Sequence, residues 1–194
     1  MQNAATALFG LLLLSSAASA QQQVTLRGEI DDLPGSGFVL DDSIVALTSN
    51  GASVAAFQGQ VVRLTGTWNG SVSQPSVAVQ TITPSFENFE FADTPRVGQT
   101  FELEIRGQAG QLAFAFVSLG QSFLPAEGGQ VVLIDPTQIV ASPAGTIPGN
   151  GELELSLSVP NSPALIGLDL FGQAGIVSGG SVLTTNPEAV SIQP

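Results

Sequence analysis

Between Glu152 and Val159 the chain reads ELELSLSV, and no other stretch constrains the fold so tightly. Leu153, Leu155, Leu157 and Val159 alternate with Glu152, Glu154, Ser156 and Ser158. A period of two puts every apolar side chain on one side of an extended strand, whereas a helix would scatter them around its axis. One face must therefore cover a core while the other meets water. Pro160 and Pro163 then stop the ladder, because proline has no N–H to donate and fixes its own φ. A second strand is expected at once, with Ile166, Leu168 and Leu170 on one side, so that residues 152–177 form the central pair of an antiparallel β-sandwich. Asp169 should point away from those leucines into water; were it buried, it would require a partner such as Arg96 or Arg106.

The strands around this pair repeat its logic. Residues 94–107, TPRVGQTFELEIRG, place Phe101, Leu103 and Ile105 inward and Glu102, Glu104 and Arg106 outward. Residues 111–120 repeat the pattern with Leu112, Phe114 and Phe116. QVVLID (130–135) is a more continuous apolar run, a loop rich in Pro, Ala and Gly follows, and EAVSIQ closes the chain as a strand. The echoes RGQAG (106–110) and FGQAG (171–175) read as turns or bulges that use glycine. Roughly six to eight strands with a turn about every ten residues describe a Greek-key or jelly-roll sandwich over residues 85–194.

Residues 24–83 hold five shorter strands: VTLRGEI, GFVLDD, SIVALTS, VVRLTGTW and SVAVQTIT. Turn signals separate them, and between the third and fourth Val54 and Phe57 make one apolar helical turn. Residues 84–93, PSFENFEFAD, read as the link to the second half. With a glycine in the first strand, FVLDD in the second and a short apolar connector before the fourth, this half resembles the OB-fold. In detail it is similar to small OB-fold proteins of the bacterial periplasm. The likeness lies in residues 24–30, 38–42 and 61–66 and implies a five-stranded barrel over residues 21–84. The second half resembles a β-sandwich module near the C-termini of secreted proteins of planctomycetes and similar bacteria. That likeness rests on PRVGQTFELEI, GNGELEL, VPNSPALIGL and FGQA, and it implies an extracellular β-domain without assigned catalytic residues.

The first twenty residues carry an apolar run, Ala4 to Leu14, ending in Ala18-Ser19-Ala20. This is a signal-peptide pattern with cleavage after Ala20, and the run is too short to span a bilayer. Nothing later is apolar enough to span a membrane either. An exported chain without cysteine suits a secreted or periplasmic bacterial protein. Sixteen acidic residues face four basic ones, all arginine (Arg27, Arg63, Arg96, Arg106), for a formal charge of −12. Such a surface repels phosphate backbones, so nucleic acid is not an expected partner.

The side-chain inventory limits the chemistry. Without His or Cys there is no triad of the usual kinds, no thiol nucleophile and no ordinary zinc site. Without Lys or Tyr, Schiff-base chemistry and a further proton donor are also gone. Carboxylates alone can hydrolyse glycosides, and Glu102 with Glu104, or Glu152 with Glu154, share a strand face. The solvated face of a half-buried strand explains the same pattern, and a sugar cleft would want more aromatic platforms than the lone Trp68. Calcium is the candidate cofactor, since it needs only oxygen ligands; Asp41, Asp42, Glu87, Glu90 and Asp93 are its candidate ligands, although none has the spacing of a known calcium loop. Phe38 and Trp68 are candidates for a ligand face on the barrel; the alternative, which the pattern favours, is that Phe38 packs the barrel and Trp68 covers its end. The expectation is an all-β, non-enzymatic exported module that binds an envelope polysaccharide or a surface protein. The alternative is a subunit of a cell-surface assembly that self-associates through edge strands.

Overall fold

A computed structural model of the protein describes residues 22–35 and 37–194. The segment 1–20, expected from its sequence to be a signal peptide, lies outside those residues. One-sided alternation builds β1 (Gln23–Leu33), β2 (Gly37–Leu40), β3 (Ala46–Ser49), β4 (Val61–Trp68) and β5 (Ser76–Pro84). They close into a barrel in the order β1-β2-β3-β5-β4, with β4 returning to β1. Only the β3–β5 pairing is parallel. With the helical turn Val54–Phe57 between β3 and β4, this is the OB arrangement. Val24, Leu26, Ile30, Leu40, Leu47, Val62, Leu64, Val77 and Val79 fill the interior. Opposite Thr65 and Gly66 a bulge leaves Gln80 as an extra residue on β5, and a Cβ on Gly66 would lie 2.5 Å from the carbonyl oxygen of Ala78.

The remaining strands are β6 (Phe89–Phe91), β7 (Thr100–Arg106), β8 (Leu112–Ser118), β9 (Gln121–Pro125) and β10 (Val131–Ile134). After them come β11 (Ile139–Ala141), β12 (Ala144–Thr146), β13 (Glu152–Ser158), β14 (Asp169–Ser178) and β15 (Ser181–Ser191). The chain divides into two compact units. One comprises the residues up to Phe86 together with Ser122–Leu133; the other comprises Glu87–Gln121 and Ile134–Pro194. The β9–β10 hairpin thus joins the barrel, a segment that the 21–84 reading of that domain did not include. Phe123, Val131 and Leu133 enter the barrel core, where the Phe123 ring lies 5.1 Å from that of Trp68. Gly129, at φ 75°, turns the hairpin against the Gln23 carbonyl, which a Cβ there would meet at 3.1 Å.

In the second unit a three-stranded sheet, β13-β7-β6, shares its core with a sheet ordered β11-β8-β14-β15, in which β12 also pairs with β8. This is a β-sandwich. Buried Asn186 on β15 joins its layers. Its Oδ1 accepts from the N–H groups of Asn88 (2.8 Å) and Phe89 (3.2 Å), and its Nδ2 donates to the carbonyl of Phe89 at 2.7 Å. One amide side chain therefore supplies the backbone partners that a neighbouring strand would give to β6.

Several expectations are corrected here. Residues 152–177 are not a central pair: β13 is the edge of one sheet and β14 lies inside the other. Pro163–Leu165 forms a 3-10 turn, Ile166 and Leu168 are exposed, and the second strand begins only at Asp169. On β8 the register is opposite to that expected. Ala113, Ala115 and Val117 face the sandwich core, Leu112 is exposed, and Phe114 and Phe116 are buried on the other face. Both faces of β8 are covered, so its apolar run carries no alternation to fix the register. The link 84–93 contains β6, and the loop after residue 135 contains β11 and β12. RGQAG ends in a turn, as expected, whereas FGQAG runs in unbroken register along β8; the shift between β14 and β15 leaves its extra residue on β15, at Thr185–Asn186. Asp169 is exposed and accepts a hydrogen bond from Ser191 Oγ at 2.5 Å.

Candidate functional site

Alternation that buries one side of β1, β4 and β5 leaves the other side outward, and the register stacks those outward residues in rows. Thr25, Thr65 and Thr81 form one row; Arg27, Arg63 and Thr83 form the next. Beyond the threonines lie Gln23 and Thr67, with Gln80 reaching in from β5. Gln23 Nε2 donates to Gln80 Oε1 (2.5 Å), Gln80 Nε2 to Thr67 Oγ1 (3.1 Å), and the hydroxyls of Thr65 and Thr81 lie 2.6 Å apart. The amides and hydroxyls thus hold one another in place. No carboxylate stands in these rows; Glu29, opposite Val61, is the next outward residue on β1.

Arg27 and Arg63 face each other across adjacent strands. The Ile30 N–H donates to the Gln60 carbonyl and the Trp68 N–H to the Gln22 carbonyl, so even-numbered β1 residues make the hydrogen-bonded pairs. Arg27 and Arg63 are therefore a non-hydrogen-bonded pair, the class in which Cα atoms approach to about 4.5 Å and side chains lie closer. Like charges placed this way repel. Neither guanidinium lies within salt-bridge distance of a carboxylate among the described residues. Arg27 instead sits over the ring of Phe86, its guanidinium carbon 5.7 Å from the centroid, and that ring is 64% exposed. Partial burial, and then the charge of Arg63, hold Arg27 below the ordinary arginine value.

The residues singled out from sequence are placed differently. Trp68 is 2% exposed, packed on Phe123, with its indole N–H donating to the Ser71 carbonyl at 3.0 Å. Its ring has no face open to a ligand. Phe38 is half-buried against the barrel core. Asp41 and Asp42 form the turn after β2: Asp42 takes φ 51°, which aspartate tolerates, and the Asp41 N–H donates to the Glu29 carbonyl. Glu87 is half-buried, Asp93 is exposed, and Glu90 accepts from Arg106 at 2.7 Å. Among the described residues no group of three or more His, Cys, Asp or Glu side chains is placed to hold a metal ion.

A second charged array lies on the outward face of β6, β7 and β13. Arg106 Nη2 meets Glu90 at 2.7 Å, while its Nε lies 2.5 Å from Glu104 Oε1 and 3.6 Å from Glu152. Glu104 faces Glu90 on one side and Glu154 on the other. Burial pushes its carboxyl above the usual carboxylate range; Arg106 opposes the shift, and Glu90 and Glu152 add to it. A carboxyl with a raised folded value binds its proton more tightly in the fold, so its contribution to stability declines as pH rises through that window. Glu104→Gln is thus expected to unfold at or above the wild-type urea midpoint at neutral pH. The difference should close once acid protonates Glu104 in both states. A clear loss at neutral pH would show that the Arg106 attraction outweighs burial.

Sequence reasoning missed Arg27, Arg63 and Phe86. No local signal joins them: each arginine reads only as an outward residue of its own strand. No protein-family model matches this chain and no curated protein matches it, so no relative backs the likenesses read from its two halves. Among the described residues no helix is long and apolar enough to cross a membrane.

Proposed function

We propose that this chain is an exported, non-catalytic module that binds an extracellular or envelope component on the β1–β4–β5 face of its barrel. The observation that carries the reading is a segregation of charge. In a chain with sixteen acids and four bases, two of the four arginines stand opposite each other on one face, without carboxylates, beside a hydrogen-bonded array of hydroxyls and amides. Such an array favours ligand contact, because its polar groups are held in place before binding. Export rests on the pattern of the first twenty residues. The lack of His, Cys, Lys and Tyr supports a binding role over a catalytic one.

The test is retention of the folded chain on insoluble envelope polysaccharide, with reducing ends assayed in the same tubes. Retention without release of reducing ends is expected. Release that disappears in a Glu104→Gln, Glu152→Gln variant would favour the glycoside hydrolase reading, whose supporting observation is the row of facing carboxylates Glu90, Glu104 and Glu154 across β6, β7 and β13. The self-associating subunit has its own support, since the outer edge of β13 pairs with no strand among the described residues. Light scattering separates the two: a constant mass over a wide concentration range fits the module, and a growing mass fits the subunit.

A further inference from the structure

The barrel face carries an unusual combination: two close cations without counter-charge, an exposed aromatic ring under one of them, and rows of hydroxyl and amide groups beside them. Each part points to a chemistry. A guanidinium presents a planar fork that matches the two oxygens of a carboxylate or a sulfate. Two guanidiniums carried on a non-hydrogen-bonded pair repel each other when empty, and an oxyanion placed between them would relieve that repulsion. The Phe86 ring offers an apolar platform about the size of a pyranose face. Thr25, Thr65, Thr81, Thr83 and Gln80 offer donors and acceptors suited to a hydroxyl-rich ligand.

We propose that Arg27 and Arg63 together clamp one oxyanion of an acidic polysaccharide, with the sugar chain lying along the threonine and glutamine rows. This rests on the binding-module reading and names its ligand. The clamp is selective through the rest of the chain's charge. A duplex carrying a charge about every 1.7 Å would be repelled by a protein of formal charge −12. A polysaccharide with one carboxylate or sulfate per sugar or fewer brings fewer charges for the same contact area. Binding should weaken with salt, because the two guanidiniums are its main electrostatic attraction.

The experiment uses the full chain and three soluble probes: polygalacturonate for the carboxylate source, a lightly sulfated dextran with no more than about one sulfate per sugar for the sulfate source, and dextran as the neutral control. Calorimetry or affinity electrophoresis at two salt concentrations gives the affinities. The expected result is binding to one or both acidic polymers and not to dextran; whichever acidic polymer binds identifies the oxyanion. Arg27→Gln and Arg63→Gln should each weaken that binding on the order of tenfold or more, the scale of a lost charge-assisted hydrogen bond. Arg96→Gln, in the other unit, should leave it unchanged. Arg63 is exposed, and removing one of two repelling charges does not threaten folding, which Trp68 fluorescence verifies. Acidic polymers bound equally well by both arginine variants overturn the clamp. Binding to dextran alone also overturns it, while leaving a binding module standing. Binding to none of the probes, with retention on envelope material intact in both variants, overturns the clamp in the same way. Loss of all retention removes the module reading as well. Preference for duplex nucleic acid or anionic vesicles over the acidic polymers overturns the saccharide assignment.

Discussion

Replacing Asn186 with leucine is expected to cost about 3 kcal/mol of stability, the scale of leaving several buried backbone groups without partners. The residue is 2% exposed, and its amide serves two N–H groups and one carbonyl of Asn88 and Phe89. Leucine has nearly the same shape and none of the hydrogen bonds, so the loss should be polar rather than steric. Asn186→Asp separates the contributions. The carboxylate can still accept from the two N–H groups but cannot donate to the Phe89 carbonyl, and it stands beside Glu188. Its cost should be comparable at neutral pH and smaller in acid, where the protonated group regains a donor. Urea midpoints at two pH values read both effects. An unchanged midpoint for the leucine variant would mean that β6 does not depend on this amide.

Phe123→Ala should cost the barrel about 3–5 kcal/mol, the usual range for emptying a fully buried phenylalanine site. Phe123 is 0% exposed and comes from the β9–β10 hairpin, so the loss measures how far this segment belongs to the barrel. The reporter is built in. Trp68 is the only tryptophan, the chain has no tyrosine, and the two rings lie 5.1 Å apart. The variant should show red-shifted emission and an earlier fluorescence transition as water reaches the indole. Unchanged emission and midpoint would show that the hairpin merely lies on a barrel that is complete without it.

How much of this was legible in the chain follows from how each strand is buried. The barrel strands, and β7 and β13, are covered on one face, and their alternation identified the strands and, for β7 and β13, their inward residues. β8 is apolar on both faces, so its pattern carried no register. The run at residues 130–135 reads the same whichever core it fills, and nothing local announces that Phe123, Val131 and Leu133 complete a barrel whose fifth strand ended at Pro84. Asn186-Pro187 looks like a turn, yet it sits within β15, where the asparagine serves another strand's backbone. The Arg27–Arg63 pair is a matter of register between β1 and β4, a long-range property that composition and periodicity do not contain. Trp68 drew attention by its rarity and proved to be core.

The most direct measurement is amide chemical-shift mapping of the folded chain titrated with whichever acidic oligosaccharide it binds. The account predicts perturbed resonances clustered at residues 23–27, 63–67 and 80–86, with Arg27 and Arg63 side-chain signals moving first. A cluster on β6, β7 and β13, around Glu104 and Glu152, would contradict it and move the function to the acidic sheet.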